Sequence, residues 1–238
     1  MEVRINKYLA DAGVASRRQA DKLVESGQVT INGIVARNAD RVAEGDKVCI
    51  KGKQVFKQEE KHVVAFYKPE GVTCTNKDKY AKVTIDDAFR YPIKLNYAGR
   101  LDKDSKGLLI MTNDGELIDR MMRARNHHEK EYIVKVNCKI TDTFMKQMSE
   151  GIYLDELDVK TRPCKVIKVG DYTFRIVLTQ GVNRQIRRMC AELGYKVESL
   201  MRVRIMNIEV GDLKPGEFRR IEGEELQLLY QQAGLERN

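Results

Sequence analysis

Gly99-Arg100-Leu101-Asp102-Lys103-Asp104-Ser105-Lys106-Gly107-Leu108-Leu109-Ile110-Met111-Thr112-Asn113-Asp114-Gly115 decides how this chain is read. A carboxylate at Asp102 follows an arginine and precedes an apolar, strand-like run, with glycines on both sides. A short-stemmed acid on a turn at the end of buried structure is well fixed, and fixed carboxylates suit chemistry. By pattern alone the same residues also fit an ordinary turn carrying a solvated acid. Asn113, Asp114 and Gly115 read as the turn that ends the run.

Outward from that stretch, the pattern after residue 61 mixes strands and helices. Strand-like runs are expected at 62–67, 131–136, 164–169, 172–179 and 206–210. Helical patches are expected at 116–123, 142–149 and 183–193. This mixture implies an α+β domain with a mixed, mostly antiparallel sheet flanked by helices. Strict strand–helix alternation and a glycine-rich phosphate loop are both missing, which argues against a dinucleotide-binding fold.

Before residue 60 the chain reads as a separate small module. Ile5, Tyr8 and Leu9 share one helical face, and Gly13 stops that helix. Ser16 caps a second helix ending near Ser26, with Ala20, Leu23 and Val24 on its apolar side. Asn32-Gly33 is a strong hairpin signal inside Val29–Val35. Arg4, Lys7, Arg17, Arg18 and Lys22 form a basic set suited to a phosphate backbone. The polar stretch 51–61 reads as a linker, so the expected domains are 1–58 and 59–238.

The 238 residues carry a formal net charge of +8, which points to an anionic partner, nucleic acid before membrane. No long apolar run and no apolar leader is evident, so a cytoplasmic location is expected. The five cysteines (Cys49, Cys74, Cys138, Cys164, Cys190) are scattered and odd in number, which argues against a disulfide framework or zinc ribbon. The three histidines make no ligand set either, and no metal site is expected.

The wording of the opening stretch resembles the GRLD motif of the pseudouridine synthases of the RsuA type. Three further segments fit the same family in the same order. Lys68-Pro69-Glu70-Gly71 is similar to its early KPxG element, Lys130-Glu131-Tyr132 to its KxY element, and Gly181–Met189 to its late GxxRQIRRM element. Residues 4–36 resemble an S4 domain, a module that binds structured RNA. A finer likeness, carried by 123–132 and 202–207, is to the large-subunit branch called pseudouridine synthase F, which modifies 23S rRNA. Lys106 departs from the Glu or Gln common in the family.

The resemblance implies an S4 (αL-type) RNA-binding domain followed by a pseudouridine synthase domain. It implies a cofactor-independent isomerase acting on 23S rRNA or a large-subunit assembly intermediate, and a monomer is expected. Asp102 is then the essential carboxylate. Tyr132 stacks on the uracil, and Arg187 is the cation paired with Asp102. Arg184 and Arg188 remain alternatives for that pairing, or phosphate contacts. Arg100 belongs to the pocket wall or assists base flipping, and Leu178 packs under the base or serves as an ordinary core residue. Two other readings stay open at this point. One is a non-catalytic S4 RNA-binding or ribosome-assembly factor. The other is a hydrolase using Asp102 and Asp104 as paired acids, since alternate residues of an extended stretch share a face.

Overall fold

The computed structural model describes residues 2–56, 60–75, 82–123 and 126–235. The expected boundary at 58/59 lies outside these residues, as do Ala124 and Arg125 of the finer family likeness. The chain divides into two compact units. One comprises Met1–His62, Tyr91–Asn96 and Asn113–Gly115; the other comprises the remainder.

The N-terminal unit follows the expected pattern closely. Helices span Ile5–Asp11 and Arg17–Glu25. Ser16 caps the second in a reciprocal box with Gln19, satisfying two backbone donors at the helix start. Asn32 and Gly33 take φ of 52° and 84°, the left-handed pair that turns Val29–Ile31 into Ile34–Val35. Ile5, Leu9, Ala20, Val24, Val29 and Val48 form the core. The linker expectation is corrected at its start. Lys53–Gln54 pairs with Cys49 and Ile50 across a tight turn at Lys51-Gly52, whose φ values of 48° and 77° again match the hairpin geometry. Tyr8 then donates its hydroxyl to the Val55 carbonyl at 3.2 Å, so ordered structure runs through Val55.

The second unit is built on a nine-stranded sheet among the described residues. Its strands are β1 (Val63–Lys68), β2 (Asn96–Ala98), β3 (Lys106–Thr112), β4 (Lys130–Val136), β5 (Lys165–Gly170), β6 (Thr173–Leu178), β7 (Val197–Ile205), β8 (Ile208–Glu209) and β9 (Phe218–Arg220). The order is β5-β6-β4-β7-β3-β1-β9, with β8 on β7 and β2 on β3. Among the described pairings between these strands, only that of β7 with β3, Met201 with Lys106 and Arg202 with Gly107, is parallel. The mixed, mostly antiparallel sheet is therefore as expected. Its helices include α1 (Gly115–Met122), α2 (Asp142–Glu150), α3 (Gln185–Glu192) and α4 (Gly223–Gln232).

Two apolar clusters hold this unit. One packs Val63, Ala65, Leu108, Ile110 and Leu117 against the C-terminal Leu229 and Tyr230. The other joins Val134, Phe144, Phe174, Ile186 and Met189. Phe144 and Phe174 meet edge to face at 5.4 Å, the geometry that the ring quadrupoles favour. The strand expected at 206–210 is corrected. The long strand is Val197–Ile205, Met206 turns the chain with a φ of 53°, and only Ile208–Glu209 returns. Glu198, Arg202 and Arg204 interrupt the apolar rhythm of β7, which hid it in the sequence.

Candidate active site

Asp102 sits on the turn between β2 and β3, and that turn is held from three directions. Ser105 is buried, and its N–H donates to the Asp102 carbonyl at 3.1 Å. Gly71, in the Lys68-Pro69-Glu70-Gly71 turn, donates its N–H to the Lys103 carbonyl at 2.7 Å. Buried Lys68 shapes that second turn by donating to the Pro69 and Val72 carbonyls, each at 2.8 Å. Arg202, on β7, donates Nε to the Leu108 carbonyl at 2.8 Å and reaches the Arg100 carbonyl at 3.4 Å. Gly107 makes this approach possible. Its φ is 106°, and a Cβ there would lie 2.2 Å from the Arg202 carbonyl oxygen.

Asp102 faces a cavity of about 450 Å³, within the range of small-ligand sites. Arg100, Tyr132, Leu178 and Arg184 line it with Asp102. Strand β4 supplies Tyr132 by alternation. Its register partners are Arg202 on one side and Ile176 on the other. The opposite face of β4 is clamped at Glu131, which accepts from Arg175 and Arg204, each at 2.9 Å. Burial pushes the Glu131 carboxyl up, but the two arginines outweigh it and hold the group below its ordinary value. Among the described residues the Tyr132 hydroxyl has no hydrogen-bond partner, so ring and hydroxyl are both offered to the cavity.

The cation beside Asp102 is Arg184. Its Nη1 lies 3.6 Å from Asp102 Oδ2, and both side chains are partly exposed. Arg184 caps α3 in a left-handed conformation with a φ of 50°. Asp104 fixes it there by accepting from Nη1 at 3.1 Å and from Nη2 at 2.8 Å. The expected pairing of Arg187 with Asp102 is therefore corrected. Arg187 lies one turn into α3, where it donates Nη2 to the Asp104 carbonyl at 2.7 Å and Nη1 to the Val197 carbonyl at 3.3 Å. Its Nε faces Asp104 Oδ2 at 3.3 Å, close enough for an ion pair but not aligned as a hydrogen bond.

Asp104 is thus the hub on which both arginines rest. The Arg184 hydrogen bonds, with help from the Arg187 charge, hold its carboxyl below the usual carboxylate range. A carboxylate saturated by two guanidinium groups is poorly placed to act as a second free acid, which weighs against the paired-acid reading. Arg188 points elsewhere. It pairs with Glu156 and donates Nε to the Asn183 carbonyl at 3.1 Å.

Lys130 and Arg202 also line the cavity, and the sequence presents them only as parts of longer motifs. The available signal was a lysine two positions before Tyr132, which alternation puts on the same face. In the N-terminal unit Arg4, Arg17, Arg18 and Lys22 are exposed and Lys7 is half-buried. Among the described residues, no group of three or more His, Cys, Asp or Glu is placed to hold a metal ion. No helix there is long and apolar enough to cross a membrane.

With this geometry in view, comparison with known proteins gives the class. Residues 62–192 match the RNA pseudouridylate synthase family, and residues 3–48 match the S4 domain. The chain belongs to that family, as an RNA pseudouridine synthase with an N-terminal S4 domain. It is 42% identical over 226 residues to the dual-specificity RNA pseudouridine synthase RluF of Escherichia coli (strain K12), covering 94% of this chain and 77% of that one. It is 34% identical over 228 residues to the ribosomal small subunit pseudouridine synthase A of Pasteurella multocida (strain Pm70), covering 94% of this chain and 98% of that one. A crystal structure of a pseudouridylate synthase superposes with a TM-score of 0.71 at 30% identity, covering 95% of this chain and 99% of that one. The family and fold expected from the four motifs are borne out.

Proposed function

We propose that this enzyme converts a specific uridine of 23S rRNA to pseudouridine, on free RNA or on a large-subunit assembly intermediate, with Asp102 as the catalytic carboxylate. The observation that carries this reading is the cavity in which Asp102, Tyr132, Leu178 and Arg184 converge. Isomerisation breaks the bond from ribose C1′ to uracil N1, turns the base, and rejoins it through C5. Asp102 acts on the sugar or base, with the Arg184 guanidinium held 3.6 Å from its carboxylate. Tyr132 stacks on the flipped uracil with Leu178 on its other side. Arg187 is a positioning residue, holding the Asp104 carbonyl and so the turn that carries Asp102. The chemistry consumes no co-reactant, and a cofactor is not required by it.

The S4 unit supplies affinity through phosphate contacts from Arg4, Lys7, Arg17, Arg18 and Lys22, with Arg100 and Arg188 gripping RNA nearer the reacting nucleotide. The enzyme acts as a monomer in the cytoplasm, where its substrate is assembled. The choice of 23S rRNA rests on the likeness of 123–132 and 202–207 to the large-subunit branch. The relative named for dual specificity makes a second RNA class worth including in the test. The experiment is tritium release from C5-labelled uridine in 23S, 16S and tRNA transcripts, followed by mapping of the modified position. Release from 23S, at one mapped uridine, is expected. Release from 16S alone, or none from 23S, would overturn the assignment.

A further inference from the structure

At the cavity wall Lys130 lies near Arg202, and Arg202 in turn near Lys68. Arg202 is 2% exposed, and its Nη2 is buried without a hydrogen-bond partner. Lys130 lines the cavity, and among the described residues its ammonium makes one hydrogen bond, a long 3.5 Å contact to the His128 carbonyl. Lys68 lies fully buried close to Arg202, donating to the Pro69 and Val72 carbonyls and feeling the charges of Asp104 and Glu70. Among the described residues, neither Lys130 nor Arg202 forms an ion pair with a carboxylate. A buried cation without a counter-charge is expensive, so this arrangement requires an explanation.

Strand geometry puts the charge where the base must go. Tyr132 faces Arg202 directly across the β4–β7 register, and Lys130 is two residues from Tyr132 on the same strand face. Whatever ring stacks on Tyr132 meets Lys130 at its edge, with Arg202 behind.

Resting on the pseudouridine synthase reading above, we infer that the Lys130 ammonium, backed by Arg202, stabilises the negative charge that collects on uracil when its glycosidic bond breaks. The C1′–N1 electron pair leaves with N1 and spreads onto O2 and O4 of the ring. Lys130 donates to one of these oxygens, and the field of Arg202 adds to it. C5 then bonds to C1′, the C5 proton passes to solvent, and N1 gains a proton from solvent in place of the sugar. The sum is an isomerisation with no oxidant or reductant. Donors fixed in advance where charge develops are worth more in a water-poor site than in solution. The same interaction retains the detached base, because an anion held by a buried cation does not diffuse away readily. Burial and the neighbouring Arg202 both hold the Lys130 ammonium below its ordinary range.

Two measurements test this. The first compares Lys130→Met and Lys130→Arg in single-turnover assays on 23S transcripts, with RNA affinity read at several salt concentrations. Lys130→Met should lower the rate about 100-fold. Its RNA affinity should stay within a few fold, and its salt slope should be unchanged. Lys130→Arg, which keeps the charge, should recover most of that loss. A wild-type rate for Lys130→Met would overturn the inference. A salt slope reduced by about 0.7–0.9 would also overturn it, because Lys130 would then be a phosphate contact. So would a Lys130→Arg variant as slow as Lys130→Met, which would make Lys130 a proton acceptor. The second measurement needs no turnover. Calorimetric titration of the full chain with 5-nitrouracil, anionic at pH 8, against neutral uracil should show about tenfold tighter binding of the anion. Lys130→Met should abolish that preference. Equal binding of the two bases to the wild-type chain would sink the anion site whatever the RNA assays show. A clear preference in a chain that modifies no RNA would instead indict the proposed function.

Discussion

Asp104→Asn is the substitution that tests the wiring of the site most sharply. Asparagine keeps the shape but loses the charge on which Arg184 and Arg187 both rest. Asp104 and Arg184 are 43% and 41% exposed at their side chains, so solvent screens the pair and an isolated exposed bridge of this kind is worth about 0–1 kcal/mol. The bidentate geometry, and the 15% exposed Arg187 left facing a neutral amide, raise the total to about 1–2 kcal/mol. At about 2–4 °C per kcal/mol for a chain of this size, the midpoint of thermal unfolding should fall by roughly 2–8 °C. Arg184 would also lose its hold beside Asp102. If that interaction is felt in the transition state, 1–2 kcal/mol corresponds to about a 5–30-fold drop in single-turnover rate. The pH dependence has a definite sign. The folded Asp104 carboxyl is held low by Arg184 first and Arg187 second, so its contribution is complete above the unfolded carboxylate range. It is lost as pH falls through the folded value, so the stability gap between wild type and variant should begin to close below about pH 4. The assay is differential scanning calorimetry from pH 3 to 8 with rates at pH 7. A variant with wild-type midpoint and rate at pH 7 would refute this wiring. A variant as inactive as Asp102→Asn would put Asp104 in the chemistry itself.

Gly107→Ala should destabilise the second unit by about 3 kcal/mol or more, since a left-handed φ and a 2.2 Å clash with the Arg202 carbonyl are imposed together; urea denaturation giving a loss under about 1 kcal/mol would contradict that contact. The triple variant Arg17→Ala, Arg18→Ala, Lys22→Ala should leave single-turnover chemistry on bound RNA intact while lowering the salt slope of binding by about 2–3, one step per lost phosphate contact. An unchanged slope would show that this face does not hold RNA. Burial pushes the Cys190 thiol up to about 12 and the Cys164 thiol up to about 11, whereas Cys138 is exposed. Alkylation of the native protein at pH 8, read by mass spectrometry, should therefore mark Cys138 and spare Cys190 and Cys164; ready labelling of Cys190 would contradict the second apolar cluster as described.

Much of the fold was legible because local rules and tertiary structure agree. Ser16 with Gln19 marks a helix start, Asn32-Gly33 marks a hairpin, and Leu108–Met111 reads as a buried strand because it is one. The strand at Val197–Ile205 is hidden in the sequence because three of its nine residues are charged, Arg202 facing the cavity, Arg204 an ion network and Glu198 the solvent. The site was legible in part. Asp102 and Tyr132 share the cavity expected of them, because a turn motif and strand alternation are local signals. The cation beside Asp102 was misplaced by three residues. That depended on α3 beginning after Arg184, with Arg184 itself left-handed, which helical periodicity does not encode. Arg202 and Lys130 were invisible as a pair because they lie on different strands and only the β4–β7 register brings them together.

The central claim is that Asp102 carries out uridine isomerisation in the cavity it shares with Tyr132 and Arg184. Its most direct test is single-turnover pseudouridine formation on a 23S transcript by the wild-type chain and by Asp102→Asn, with RNA affinity measured for both. The account predicts one mapped pseudouridine from the wild type and none from the variant, at affinities within a few fold of each other. Pseudouridine formed by Asp102→Asn at near wild-type rate would contradict it.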